Sequence, residues 1–150
     1  MKDSIACSCF STTPKTLEKA FLFLRVGIGL LSIGHGLPKL MGGVETWQQL
    51  GGAMTFVGIH FWPAMWGFLA AFAEFFGGIA LVLGLGTRIA SFLLTIAMVV
   101  AFTMHFRQGD AFSVYSFALT LIIVFLTFII VGGGTYSLDH RLHEWHNQKN

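Results

Sequence analysis

Four long apolar runs divide the chain. They cover about residues 17–37, 62–83, 89–106 and 112–131, each close to the roughly 20 apolar residues a helix needs to cross a bilayer. None shows the alternation of a barrel strand, so the pattern predicts helices. Turn signals separate the runs: Pro38 with Gly42 and Gly43, then Gly84-Leu85-Gly86-Thr87-Arg88, then Arg107-Gln108-Gly109-Asp110, then Gly132-Gly133-Gly134. Connections this short set neighbouring helices antiparallel. The expected fold is all-α, an integral membrane antiparallel four-helix bundle over residues 17–134. A tail precedes it (1–16) and another follows (135–150). Within residues 40–61, Trp47, Leu50, Met54 and Val57 recur at helical spacing. They predict a short interfacial helix in the first outer loop, with a simple packed loop as the alternative.

Composition agrees with lipid as the solvent. Of the 150 residues 55% are hydrophobic and 11% charged, against about 25% charged in soluble domains, and the mean hydropathy is +0.73. Too little charge is present to cover a soluble enzyme. A net charge of +2 does not suggest a nucleic-acid partner. Positive residues set orientation. Lys2, Lys15, Lys19, Arg88, Arg141 and Lys149 fall on the side of the termini, against Lys39 and Arg107 opposite. Both termini are expected in the cytoplasm. The first run has a positive flank, but His35, Pro38 and Lys39 follow it instead of a small-residue cleavage site, so it reads as a retained helix.

Each span carries a stripe of small or polar residues at helical spacing: Arg25, Gly29, Ser32 and Gly36; Gly67, Ala70, Ala71, Glu74, Gly77 and Gly78; Ser91, Thr95, Met98, Phe102 and His105; Ser113, Ser116, Thr120 and Thr127. Small residues mark packing faces in membranes, so all four stripes are expected to turn inward. A charge within a span is costly, and Arg25 and Glu74 are expected to share that cost as a buried ion pair. Either the pair only fixes helix register, or Glu74 carries a proton or polarises a ligand with Arg25 holding its charge. At the outer end gather His35, Lys39, His60, His105, Arg107 and Asp110, with Tyr115 at the same level. His35, Lys39, His105 and Tyr115 are the candidate ligand-binding groups, since imidazole and phenol donate or accept hydrogen bonds. Ordinary interface decoration is the simpler reading. Arg88 and Asp139 are expected to pair as a structural clasp.

The two cysteines, Cys7 and Cys9, lie in the first tail. No cysteine lies at the outer face, which argues against a four-helix thiol oxidase. His140, His143 and His146 read as a polar amphipathic tail, with Leu142 and Trp145 at the membrane edge, and no metal site is expected. Nucleotide, nucleophile-elbow and zinc-protease motifs are absent, as are haem, flavin and iron–sulfur motifs.

Three motifs in order resemble the DoxX family. Leu24-Arg25-Val26-Gly27 followed by Gly34-His35-Gly36-Leu37-Pro38-Lys39-Leu40 is similar to its first helix. Ala73-Glu74-Phe75-Phe76-Gly77-Gly78, with Leu83-Gly84-Leu85-Gly86-Thr87-Arg88, is similar to its second helix and turn. Gly134-Thr135-Tyr136-Ser137-Leu138-Asp139 is similar to its close. The resemblance covers about residues 17–142. It implies a four-helix protein of the bacterial inner membrane, associated with quinone-linked oxidoreduction, including thiosulfate oxidation, and with resistance to oxidants or quinones. It makes Arg25, Glu74, Arg88 and Asp139 signature positions without giving them chemical roles.

Three functions compete. The first is a redox accessory subunit that takes a quinone between its helices and exchanges electrons with oxidoreductase partner subunits. The second is a small-molecule binding or transport module, which at this size implies a homo-oligomer. The third is a structural assembly subunit of a membrane complex.

Overall fold

The computed structural model describes residues 13–149. The first-tail residues singled out above, Lys2, Cys7 and Cys9, lie outside the described residues. The chain forms α1 (Pro14–Met41), α2 (Gly43–Gly51), a 3-10 turn (Gly52–Val57), α3 (Pro63–Leu83), α4 (Thr87–Gln108), α5 (Phe112–Val131) and α6 (Leu138–Lys149). Helices α1, α3, α4 and α5 are each long and apolar enough to span a bilayer, with mean hydropathy from 1.6 to 2.7. They pack together, and their outer surfaces present side chains such as Phe23, Ile89, Ile123 and Ile130.

Local chemistry sets the boundaries. Thr13 caps α1, its Oγ1 accepting from the Thr16 backbone N–H, and Pro14 begins the helix. Pro38 does not end α1, which continues to Met41. The missing N–H removes one ladder hydrogen bond close to the helix end, where little helix remains to be disrupted. Gly84 closes α3 at φ 69°, a conformation glycine adopts without strain. Asp139 then caps α4. Its Oδ1 accepts from the Gly86 N–H at 2.7 Å and its Oδ2 from the Thr87 N–H at 3.0 Å.

Helix α1 lies along α3, α3 along α4 and α4 along α5. The α1–α3 seam is the tightest. Gly29 faces Gly78 and Val82, and Gly36 faces the Glu74–Phe75 backbone. A Cβ on Gly78 would stand 2.7 Å from the Gly29 carbonyl oxygen and 2.8 Å from the Ile33 N. The expected stripe of Arg25, Gly29, Ser32 and Gly36 is the buried face of α1, and Gly67, Ala71, Glu74, Gly77 and Gly78 are buried on α3.

The fourth stripe corrects the expectation. Thr120 and Thr127 of α5 are exposed. Their hydroxyls donate to the carbonyls of Ser116 and Ile123 one turn back. So satisfied, they need no interior partner and can face lipid. Ala118, Phe125 and Phe128 form the buried side of α5 instead. The apolar core of Leu81, Leu94, Phe125 and Phe128 fills only the half of the bundle near the termini.

The short helix α2 stands between the first two spans. Its Trp47 packs on Phe68 of α3 with ring centroids 4.9 Å apart, its Leu50 and the following turn's Met54 line a cavity, and Val44 is exposed. The α2 backbone comes close enough to α3 that Gly51 and Gly67 leave no room for a Cβ.

This packing separates two kinds of glycine. Gly78→Ala is expected to lower stability by about 1–3 kcal/mol through overpacking. Gly27→Ala, at a position with open space, is expected to hold or gain stability. Thermal unfolding of the two variants in one mild detergent checks the contrast.

Candidate functional site

The half of the bundle away from the termini holds a half-open cavity of about 810 Å³, within the usual range for small-molecule sites. All four spans, α2 and the 3-10 turn line it. Leu94 and Phe125 line its end nearer the termini, and Thr46, Gln49, Leu50 and Met54 line its opposite end. Its walls are mostly apolar. The polar exceptions of interest are Lys39, Glu74, His35, His105 and the Trp66 indole.

Glu74 pairs with Lys39, not with Arg25. Lys39 Nζ donates to Oε1 at 2.7 Å and to Oε2 at 2.6 Å. The Glu74 side chain is 6% exposed and that of Lys39 31%. Geometry decides the pairing. Gly36 sits against Glu74, and eleven residues separate it from Arg25, or about 16 Å along a helix. Side chains also lean toward the N-terminus of their helix. Arg25 therefore leans toward the terminal face, away from Glu74. Lys39 leans back into the membrane, and Glu74, on the antiparallel α3, leans outward to meet it.

Arg25 serves the opposite end. It is 1% exposed, and its Nη1 and Nη2 donate to the carbonyls of Gly133 and Tyr136, each at 2.8 Å. Gly84 makes room for the guanidinium, since a Cβ there would collide with Nη1. Arg88 and Asp139 do not pair with each other. Arg88 Nη2 donates to the Ile130 carbonyl at 3.3 Å, while Asp139 caps α4. Both oxygens of that carboxylate are taken by backbone N–H groups, which hold it away from the exposed Arg88. Each residue joins different elements, Arg88 linking α4 to α5 and Asp139 linking the start of α6 to the α3–α4 turn.

The remaining outer-end residues separate into two groups. His35 and His105 line the cavity. The His35 ring lies 5.9 Å from that of Phe117 across the α1–α5 gap. His105 Nδ1 is 2.7 Å from Asp110 Oδ2. Tyr115 does not line the cavity. Its ring stands edge-on to Phe102, Phe106 and Phe112 in a cluster between α4 and α5. His60 and Arg107 are exposed and lie outside the lining as well. At the other end, His140 pairs with Glu144 at 3.3 Å and His143 with Asn147 at 3.2 Å. Among the described residues no three metal-ligating side chains converge.

One site residue escapes sequence reasoning. Trp66 lines the cavity, and its buried indole N–H has no hydrogen-bond partner. A tryptophan near a span end ordinarily reads as an interface anchor, so only packing reveals this donor.

The fold defines a small multi-pass membrane protein with a largely apolar cavity beside a buried ion pair. The chain belongs to the DoxX family, whose model matches residues 20–106. It is 31% identical over 117 residues to a Bacillus subtilis (strain 168) protein named "Putative oxidoreductase CatD", covering 75% of this chain and 82% of that one. It is 32% identical over 125 residues to an uncharacterized protein of Haemophilus influenzae, covering 79% and 87% respectively. No solved structure matches the chain.

The charged groups differ in what they hold. Arg25→Met removes two part-buried hydrogen bonds and is expected to cost about 1–3 kcal/mol for each, whereas Arg88→Met, at an exposed contact, is expected to cost under about 1 kcal/mol. Thermal unfolding checks the ranking. Lys39→Met strands the Glu74 carboxylate and is expected to cost about 3–5 kcal/mol. Adding Glu74→Leu to it recovers most of that loss, which a double-mutant cycle measures.

Proposed function

We propose that this DoxX-family protein is a quinone-linked membrane subunit. The observation that carries the reading is the Lys39–Glu74 pair set in the wall of an apolar cavity. A quinone is an apolar ring with polar oxygens at its edge, and the cavity supplies both environments. Lys39 Nζ is a donor for carbonyl oxygens. The histidines offer acceptors for hydroxyls. When bound, the quinone supplies two-electron chemistry at its ring. The chain's own residues bind and orient it, exclude water and hold protons at Glu74. The α1 and α5 backbones approach little, and Leu31 and Phe117, both half-exposed, border the cavity there. That gap is the natural exit for a lipid tail. The name of the Bacillus relative, an oxidoreductase, agrees with this reading.

Electrons pass to or from an oxidoreductase partner. The excess of Lys and Arg on the terminal face supports placing both termini in the cytoplasm of a bacterial inner membrane, with the cavity toward the outer leaflet. Domain limits follow the same plan, with a bundle over residues 17–134 between two cytoplasmic tails.

Extraction into native lipid discs, followed by mass spectrometry of bound small molecules, tests the proposal. Wild type is expected to carry quinone near stoichiometrically. Ala97→Trp, which fills the cavity, is expected to lose it, and Glu74→Gln to retain several-fold less. A wild-type protein free of quinone even after loading with excess sinks the reading and moves the weight to transport or assembly.

A further inference from the structure

We infer that the His105–Asp110 couple makes this cavity selective for ligands bearing a ring hydroxyl, and so for the reduced form of a quinone over the oxidised form. The inference rests on the reading that the cavity binds such rings. Its basis is the direction of one hydrogen bond.

An ionised carboxylate only accepts hydrogen bonds. The 2.7 Å contact between His105 Nδ1 and Asp110 Oδ2 therefore places the ring proton on Nδ1. In the neutral imidazole the other nitrogen, Nε2, is then a lone-pair acceptor. His105 lines the cavity and its Nδ1 is occupied, so Nε2 is the nitrogen left for a ligand. A hydroxyl satisfies it. A carbonyl oxygen has no proton to offer and leaves it unpaired.

The other polar groups around the cavity discriminate less. Both oxygens of Glu74 are engaged by Lys39. Lys39 is a donor, and the oxygen of a carbonyl, a hydroxyl or an ether accepts from it equally in kind. The Gln49 amide can donate or accept. Ser32 and Thr46 donate their hydroxyl protons to carbonyls one turn back, and their oxygens are weaker acceptors than an imidazole nitrogen. No hydrogen bond fixes which nitrogen of His35 carries its proton, so that ring can serve either form. Of the two imidazoles only His105 has its role set by a partner, and that partner, Asp110, sits just beyond the end of α4. The Asp110 N–H donates to the His105 carbonyl at 3.1 Å, so the turn that closes the helix also holds the carboxylate beside the ring.

The selectivity is read without redox chemistry by comparing 1-naphthol with its methyl ether. The two share an aromatic body and an acceptor oxygen, but only the naphthol donates. Binding is measured by titration in lipid discs at about pH 8, above the usual imidazole value, with Ala97→Trp discs subtracted as the membrane blank. Wild type is expected to bind naphthol about tenfold more tightly than the ether, the size of effect one hydrogen bond supplies. His105→Phe removes the acceptor and is expected to bring the ratio to about one while ether binding stays within about twofold. A wild-type ratio of one, or a ratio that survives the substitution, overturns the inference and leaves the cavity reading intact. If neither compound binds above the blank, the cavity reading falls and this inference falls with it.

Discussion

Every charge placed in lipid must find its partner inside the same small chain, and the architecture follows from that constraint. Helices satisfy the backbone, and turns satisfy their own ends, but Arg25, Lys39 and Glu74 need specific neighbours. The bundle meets the need at two separate levels. Near the termini, two backbone carbonyls after the last span receive the Arg25 guanidinium. Toward the opposite face, one carboxylate receives the Lys39 ammonium. The tight α1–α3 seam sets the register that keeps these two levels apart.

The two levels have different surroundings, and this divides structure from chemistry. Around Arg25 the interior is closed, with glycine-bearing turns pressed against the guanidinium and an apolar core beside it. Around Glu74 the interior is open, and the ion pair faces space instead of packed side chains. A buried pair in a packed core chiefly specifies an arrangement. A pair in the wall of a cavity is also available to whatever enters. The Lys39–Glu74 level is therefore the one open to a ligand, and the Arg25 level is a fastening.

Much of this was legible in the residues, and the misreadings have physical causes. The spans, the short helix after the first of them and the glycine faces of α1 and α3 follow from length and periodicity. Arg25 and Glu74 stand out in the sequence as buried charges, but spacing alone joins the wrong pair. Periodicity reports which face a residue occupies but not how far apart two helices place their levels, and the lean of each side chain decides the partner. Thr120 and Thr127 look like an interior stripe because hydroxyls count as polar, although each hides its polarity in its own helix. Tyr115 shares a level with the cavity but belongs to an aromatic cluster beside it. Trp66 carried no signal at all, since an orphan donor exists only once neighbours are known.

The fastening at Arg25 also bears on how the protein is made. The carbonyls that receive the guanidinium belong to Gly133 and Tyr136, more than a hundred residues later in synthesis. Until the last span is threaded and its closing turn has formed, the first helix holds an uncompensated charge. It can then rest only shallowly, with Arg25 drawn toward the headgroups. Final seating of the first helix therefore waits for the end of the chain. A chain that stops before Gly133 and Tyr136 leaves Arg25 without these acceptors and the first helix unlocked.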